Sequence, residues 1–152
     1  MKLHSTSIKD TLAAGRALAK KLKKGDIVCL FGSMGSGKTV FVKGIAEGLG
    51  VDKDEIVSPT FVLLRAYPQA RIPLYHFDLY RLKAEKEIAG LGYEEYFYGG
   101  GIAVVEWADR LGRLMPQERL DVGLSVVSRS ERWITFSAAG ERYKQLAGGR
   151  LR

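Results

Sequence analysis

The sequence predicts an α/β fold: a mixed β-sheet flanked by helices and finished by a C-terminal antiparallel hairpin. Three observations carry that expectation. The apolar run Asp26-Ile-Val-Cys-Leu-Phe31 leads through Gly32-Ser-Met-Gly-Ser-Gly37-Lys38-Thr39 into a helix-like stretch that stops at Gly50, the strand–loop–helix order of a phosphate-cradling loop. A second apolar run, Ile102-Ala-Val-Val-Glu106, is continuous rather than alternating, as in a strand buried on both faces. Between residues 119 and 127, Leu120, Val122, Leu124 and Val126 alternate with more polar residues. With residues 131–138, joined through Ser128-Arg-Ser130, they read as a hairpin.

The remaining elements follow from local signals. Ser7-Ile-Lys-Asp10 reads as a capping box opening a helix, whose apolar positions Ile8, Leu12, Ala19 and Leu22 recur at helical spacing until Gly25. Lys20-Lys21-Leu-Lys23-Lys24 would then close that helix, where cations suit the dipole. Thr39 to Leu49 is the helix after the glycine loop, with Gly50 as its stop. Ser58-Pro-Thr60 is a loop, followed by strand-like runs over residues 61–67 and 72–78 parted by a Pro68-Gln69 turn. A short helical segment spans residues 84–97, Gly99-Gly-Gly101 breaks the chain, and a last helix covers residues 141–147. Residues 1–147 are expected to form a single domain, with 148–152 as a short tail.

At 152 residues and 46% hydrophobic composition, the chain is the size of about one globular domain. It shows no apolar run near the roughly 20 residues of a membrane span, and Met1 to Ser7 lacks the apolar centre of a signal peptide. The expected setting is the cytoplasm, with no membrane partner. The single cysteine, Cys29, lies inside the first apolar run and reads as a small buried hydrophobe. A net charge of +7 admits a nucleic-acid surface, an acidic protein partner or solvated helix faces. The arginines at 110, 113, 119, 129, 132, 142, 150 and 152 lack the interleaved aromatics of a single-strand binding groove, so direct RNA contact is not favoured.

Gly32, Gly37, Lys38 and Thr39 fit G-x-x-x-x-G-K-[ST]. In this P-loop the backbone of Met34, Gly35, Ser36 and Gly37 turns its N–H groups onto phosphate oxygens, in a geometry that side chains would block. Lys38 reaches the β- and γ-phosphates and Thr39 offers its hydroxyl to Mg²⁺. The predicted ligands are therefore ATP and Mg²⁺, and the fold class narrows to a P-loop NTPase-like sheet. A second acidic group is needed near the metal. Glu106 and Asp78 both end apolar strands, so either carboxylate is placed to hold Mg²⁺ or to orient the attacking water. His76 reads as a packed strand residue rather than a base. Guanine specificity is disfavoured, since a chain without asparagine cannot carry an Asn-Lys-x-Asp motif.

Taken together, "GSMGSGKTVFVKGIAEGLG", "VSPTFVLLRAY", "YHFDLYRL", "LGYEEYF" and "VVEWADRLGRLMP", in this order and spacing, resemble the TsaE (YjeE) family of P-loop ATPases from bacterial tRNA threonylcarbamoyladenosine synthesis. The resemblance runs from about residue 7 to residue 140. It implies an ATPase that serves the TsaD and TsaB proteins, whose complex transfers the threonylcarbamoyl group to tRNA, and that resets TsaD between turnovers without performing the transfer. Contact with tRNA would be indirect, through that complex. The resemblance further implies that Lys38 and Thr39 hold phosphate and metal, that Glu106 is the second metal ligand, and that Asp78 organises hydrolysis. Thr60 would sense the γ-phosphate, Trp107 would lie near the nucleotide, and Arg129 would match an arginine of the last hairpin that reaches ATP, with Arg132 three residues away. Two departures stand out: Ser33 where the family usually has aspartate, and Ala108 where proline commonly follows Glu-Trp. A small-molecule kinase and a nucleotide-dependent binding module are the alternative functions.

Overall fold

A computed structural model describes residues 1–151; Arg152, one of the C-terminal arginines, lies outside the described residues. The chain runs β1 (Lys2–Ser5), α1 (Ile8–Ala19), β2 (Ile27–Phe31), α2 (Lys38–Gly48), β3 (Leu64–Tyr67), β4 (Leu74–Asp78), α3 (Glu85–Ala89), α4 (Glu94–Phe97), β5 (Ile102–Glu106), β6 (Arg119–Val126), β7 (Arg132–Ala139) and α5 (Glu141–Gly148), with 3₁₀ turns at Lys53–Glu55 and Ala108–Leu114. Seven strands form one sheet in the order β1-β7-β6-β2-β5-β4-β3. β2 is parallel to both β5 and β6, and β4 is parallel to β5. The edges are antiparallel: β3 on β4, β7 on β6 and β1 on β7. This is the mixed α/β sheet with a C-terminal hairpin that the sequence predicts.

The continuous apolar runs of β2 and β5 have a direct cause, because alternate residues feed two cores. Val28, Leu30, Ile102 and Val104 pack with residues of α1, α2 and α5, whereas Ile27, Cys29, Ala103 and Val105 pack with Leu82, Ile88, Tyr93, Phe97 and Leu111 on the opposite face. Both faces of the sheet centre are therefore covered. No helix among the described residues is long and apolar enough to cross a membrane.

Several boundaries differ from the sequence expectation. α1 stops at Ala19 instead of reaching Gly25, because the chain turns inward to the buried Asp26 carboxylate. Its Oδ2 accepts from the Lys23 amide (2.7 Å) and from Arg142 (2.7 Å). The lysine cluster thus sits in a turn beyond the helix cap. The capping box is displaced as well: Ser7 Oγ accepts from Asp10 N (3.1 Å), but Asp10 returns to Thr6 N (2.9 Å) rather than to Ser7. Residues 61–63 form a turn instead of the start of β3, and the 84–97 segment splits into α3 and α4 around a left-handed Gly92. β1 was not expected from the sequence. It is a short edge strand whose hydrogen-bonding partner lies about as far away in sequence as the chain allows.

α1 and α2 cross with almost no space between their backbones. A Cβ on Gly44 would strike the Leu12 carbonyl oxygen, and one on Gly15 would strike the Phe41 carbonyl oxygen. Gly44→Ala is therefore expected to destabilise the protein by about 2 kcal/mol net, since overpacking outweighs the better helix propensity of alanine. The melting temperature should fall by roughly 4–8 °C. An unchanged melting curve would rule out so close a crossing.

Candidate functional site

Parallel strands place their C-terminal ends on a common edge, and ligands of open α/β sheets gather there. β2 delivers the glycine loop to this edge, β5 delivers Glu106, and β4 delivers Asp78, which is directly opposite Glu106 in the ladder. Gly35 and Gly37 adopt φ of 77° and 103°, a left-handed geometry that glycine takes without steric cost. Gly37 caps α2, so Lys38 and Thr39 open the helix, with its free N–H groups and positive dipole end behind them.

Lys38 is 4% exposed. Its Nζ donates to the carbonyls of Gly32 (2.6 Å) and Ser33 (2.9 Å) and lies 4.1 Å from the centre of the Trp107 ring. Burial pushes its pKa down, while Glu106, Asp78 and Asp109 pull the other way. Trp107 itself has φ 57° and ψ 43°, a conformation that is a true outlier for a bulky residue and whose strain must be held by its surroundings. It packs on Tyr80 with ring centres 5.0 Å apart, roofing the ammonium group. The adjoining Ala108 is fully buried in the second core.

Thr39 Oγ1 shares its proton between the two oxygens of Glu106, at 2.9 and 3.1 Å. Glu106 Oε1 is also 2.8 Å from Nε2 of His76, which has no solvent exposure. A carboxylate only accepts, so this contact places the proton on Nε2. The His76 Nδ1 has no partner among the described residues. His76 is thus a packed strand residue, and one that also fixes the carboxylate.

Asp78 organises the opposite side. Its Oδ2 accepts from Ser58 Oγ (3.0 Å) and Thr60 Oγ1 (2.9 Å), and its Oδ1 accepts from the Tyr80 amide (3.0 Å). The two hydroxyls are 2.8 Å apart, so three contacts share two protons. The Ser58-Pro-Thr60 loop is latched onto the strand end by these two hydroxyls, and the Asp78 amide donates to the Leu63 carbonyl (3.0 Å) just beyond them.

The two arginines of the last hairpin differ in position. Arg129 is exposed in the turn and lines the cavity mouth. Arg132 is buried, donates from Nη1 to the Ser36 carbonyl (3.1 Å) and packs against Gly37. Its Nε has no partner among the described residues. The glycine loop therefore rests on Arg132.

Met34, Gly35, Gly37, Lys38, Thr39, Thr60, Asp78, Glu106, Trp107 and Arg129 all line one cavity of about 880 Å³, and Ser36 lies beneath it. That volume falls in the range of small-molecule and cofactor sites. The sequence reading missed Tyr80, and it missed Thr6, Ser7 and Lys9, which line the same cavity from the β1–α1 turn and the first turn of α1. The Ser7 capping signal marked that turn as a helix start, with nothing to show which cavity it faced. Among the described residues no three His, Cys, Asp or Glu side chains cluster as a metal cage. One hydroxyl and one carboxylate, oxygen donors both, nevertheless fit Mg²⁺, which keeps several waters and takes its remaining ligands from phosphate.

A family model described as threonylcarbamoyl adenosine biosynthesis protein TsaE matches residues 5–134. The chain belongs to the TsaE family. A Bacillus subtilis (strain 168) protein named tRNA threonylcarbamoyladenosine biosynthesis protein TsaE is 42% identical over 146 residues, covering 96% of this chain and 90% of that one. A Treponema pallidum (strain Nichols) protein of the same name is 40% identical over 137 residues, covering 90% of this chain and all of its own length. Among solved structures, that of Bacillus subtilis YdiB superposes with a TM-score of 0.82 at 37% identity, covering 97% of this chain and 91% of that chain. The matches thus span nearly the whole chain, beyond the P-loop alone.

Proposed function

We propose that this chain is a Mg²⁺-dependent ATPase of tRNA threonylcarbamoyladenosine biosynthesis, working in the cytoplasm beside TsaD and TsaB and resetting their complex between turnovers. The observation that carries the reading is the pairing of two separate carboxylate assemblies across the P-loop: Glu106 on Thr39, and Asp78 on Ser58 and Thr60. A site that only bound phosphate would need the first and not the second.

In this reading the incoming phosphates take over Lys38 Nζ from the Gly32 and Ser33 carbonyls, exchanging two neutral acceptors for charged ones. Arg132 keeps the loop backbone in place through Ser36 O. Thr39 and Glu106 would hold Mg²⁺, which would supply neutralisation of the triphosphate's negative charge. Asp78 orients a water for in-line attack on the γ-phosphorus; the new P–O bond forms as the bond to the β-phosphate oxygen breaks, leaving ADP and phosphate. Thr60 leaves Asp78 for the γ-phosphate and returns when that phosphate departs, so the loop reports the nucleotide state. Trp107 and Tyr80 restrict water above Lys38.

The deciding experiment combines purified TsaD–TsaB, tRNA and threonylcarbamoyl-adenylate with and without this protein and ATP. Modification should stop near one product per TsaD without it and continue through many turnovers with it. Equal repeated turnover in both reactions overturns the pathway assignment, whatever the ATP affinity.

A further inference from the structure

One side chain behind the site is polar where the core asks only for bulk. His76 has no solvent exposure, and its Nδ1 finds no partner among the described residues. A leucine or phenylalanine would fill a core position without the cost of an unpaired polar atom. What a hydrocarbon could not supply is the donor that Nε2 presents to Glu106 Oε1 at 2.8 Å. The contact follows from the ladder. β4 and β5 are parallel, with His76 opposite Val104 and Asp78 opposite Glu106, so these four side chains share one face and His76 meets Glu106 on the diagonal.

The two oxygens of Glu106 are unequally engaged. Oε1 has two donors, His76 Nε2 at 2.8 Å and Thr39 Oγ1 at 2.9 Å, whereas Oε2 has only Thr39 Oγ1, at 3.1 Å. Thr39 carries a single hydroxyl proton, so His76 is the donor that Oε1 keeps whichever way that hydroxyl turns. The last torsion of a glutamate is broad, and a hydroxyl that reaches both oxygens does not choose among its settings. His76 does choose, because it bonds to one oxygen only. Lone pairs on Oε2 are thereby left for a cation in the cavity that Thr39 and Glu106 line.

We infer that His76 is a positioning residue of the metal site: its Nε2–H holds Glu106 Oε1, fixes the plane of the carboxylate and leaves Oε2 open to Mg²⁺. The inference rests on the proposed Mg²⁺-dependent ATP site and adds to it a residue that does not itself line the cavity. Partners behind a metal ligand set its orientation, and losing one typically costs roughly 10- to 100-fold in metal affinity. β4 then serves the site twice. His76 steadies the metal carboxylate from behind, while Asp78, two residues on, is engaged with Ser58 and Thr60.

The test is calorimetric titration of ATP into the protein with Mg²⁺ and with EDTA, which reads the gain in affinity that the metal gives. His76→Leu removes the donor and should cut that gain by at least about tenfold, while affinity in EDTA stays within about twofold, since His76 lies outside the cavity lining. His76→Gln keeps an N–H at similar reach and should retain the gain to within about threefold. His76→Asn is one bond shorter and should behave like His76→Leu, so the two amides carry the comparison if the leucine variant fails to fold. In a Glu106→Gln background His76→Leu should cause no further loss, because residues that act through one group are not additive. An undiminished gain in His76→Leu or His76→Asn overturns the inference. Equal losses with Mg²⁺ and with EDTA, additivity with Glu106→Gln, or a His76→Gln protein as impaired as His76→Leu overturn it in favour of a packing role. If the unchanged chain binds ATP equally well with Mg²⁺ and with EDTA, the metal-dependent site itself falls and this inference with it.

Discussion

Lys38→Ala is expected to weaken ATP binding by about 100-fold, the equivalent of roughly 3 kcal/mol for a charge-assisted contact to phosphate at a partly desolvated site. The size of the effect follows from the lysine's surroundings. The ammonium is buried beneath Trp107 and already faces inward, held by the Gly32 and Ser33 carbonyls, so nucleotide binding spends little on ordering it. Lys38→Arg should be nearly as damaging, since a planar guanidinium does not fit the space between two carbonyls 2.6 and 2.9 Å from a single nitrogen. Isothermal titration with ATP and Mg²⁺ reads both, and a melting curve taken beside it separates lost binding from lost folding. Affinity within threefold of the unchanged chain in a folded Lys38→Ala protein would falsify the phosphate role.

How far the sequence reveals this site depends on how local each interaction is. The P-loop is legible because its parts are contiguous: strand, glycine turn and helix start fall within residues 27–48. Asp78 and Glu106 are legible as acids that end apolar runs, since parallel strands in register bring such ends together. What no local pattern supplies is the second layer. The His76–Glu106 contact depends on β4 and β5 being neighbours, and the hold of Arg132 on Ser36 depends on a hairpin folding back across 96 residues. Arg129 and Arg132 look equivalent in sequence, but the β7 ladder begins at Arg132 and fixes it, while Arg129 stays in the turn. The overextended α1 has the same origin. Leu22 keeps the helical spacing and is buried, yet a buried carboxylate downstream takes the Lys23 amide and ends the helix.

Asp78→Asn and Glu106→Gln should separate binding from chemistry if, as proposed, the two carboxylates do different work at the same edge. Asparagine preserves the shape of Asp78 and can still accept from one hydroxyl, so ATP affinity should stay within about threefold; it removes the negative charge proposed to orient water, and phosphate release should fall by at least about 100-fold. The Ser58–Thr60 loop should loosen too, since an amide NH₂ in place of Oδ2 would face two hydroxyls that now donate there. Faster amide exchange at residues 58–62 would register that change independently of turnover. Glu106→Gln has the opposite profile. Its side chain can still accept from Thr39 Oγ1, but it offers no charge to a divalent cation, so the Mg²⁺ concentration for half-maximal ATP binding should rise about tenfold or more. Excess Mg²⁺ should then recover part of the hydrolysis in Glu106→Gln and none in Asp78→Asn. Single-turnover phosphate release across a Mg²⁺ titration distinguishes the two. If Mg²⁺ instead rescues Asp78→Asn and leaves Glu106→Gln inactive, the roles are exchanged: Asp78 would hold the metal, and Glu106, with its proton-bearing neighbour His76, would order the water.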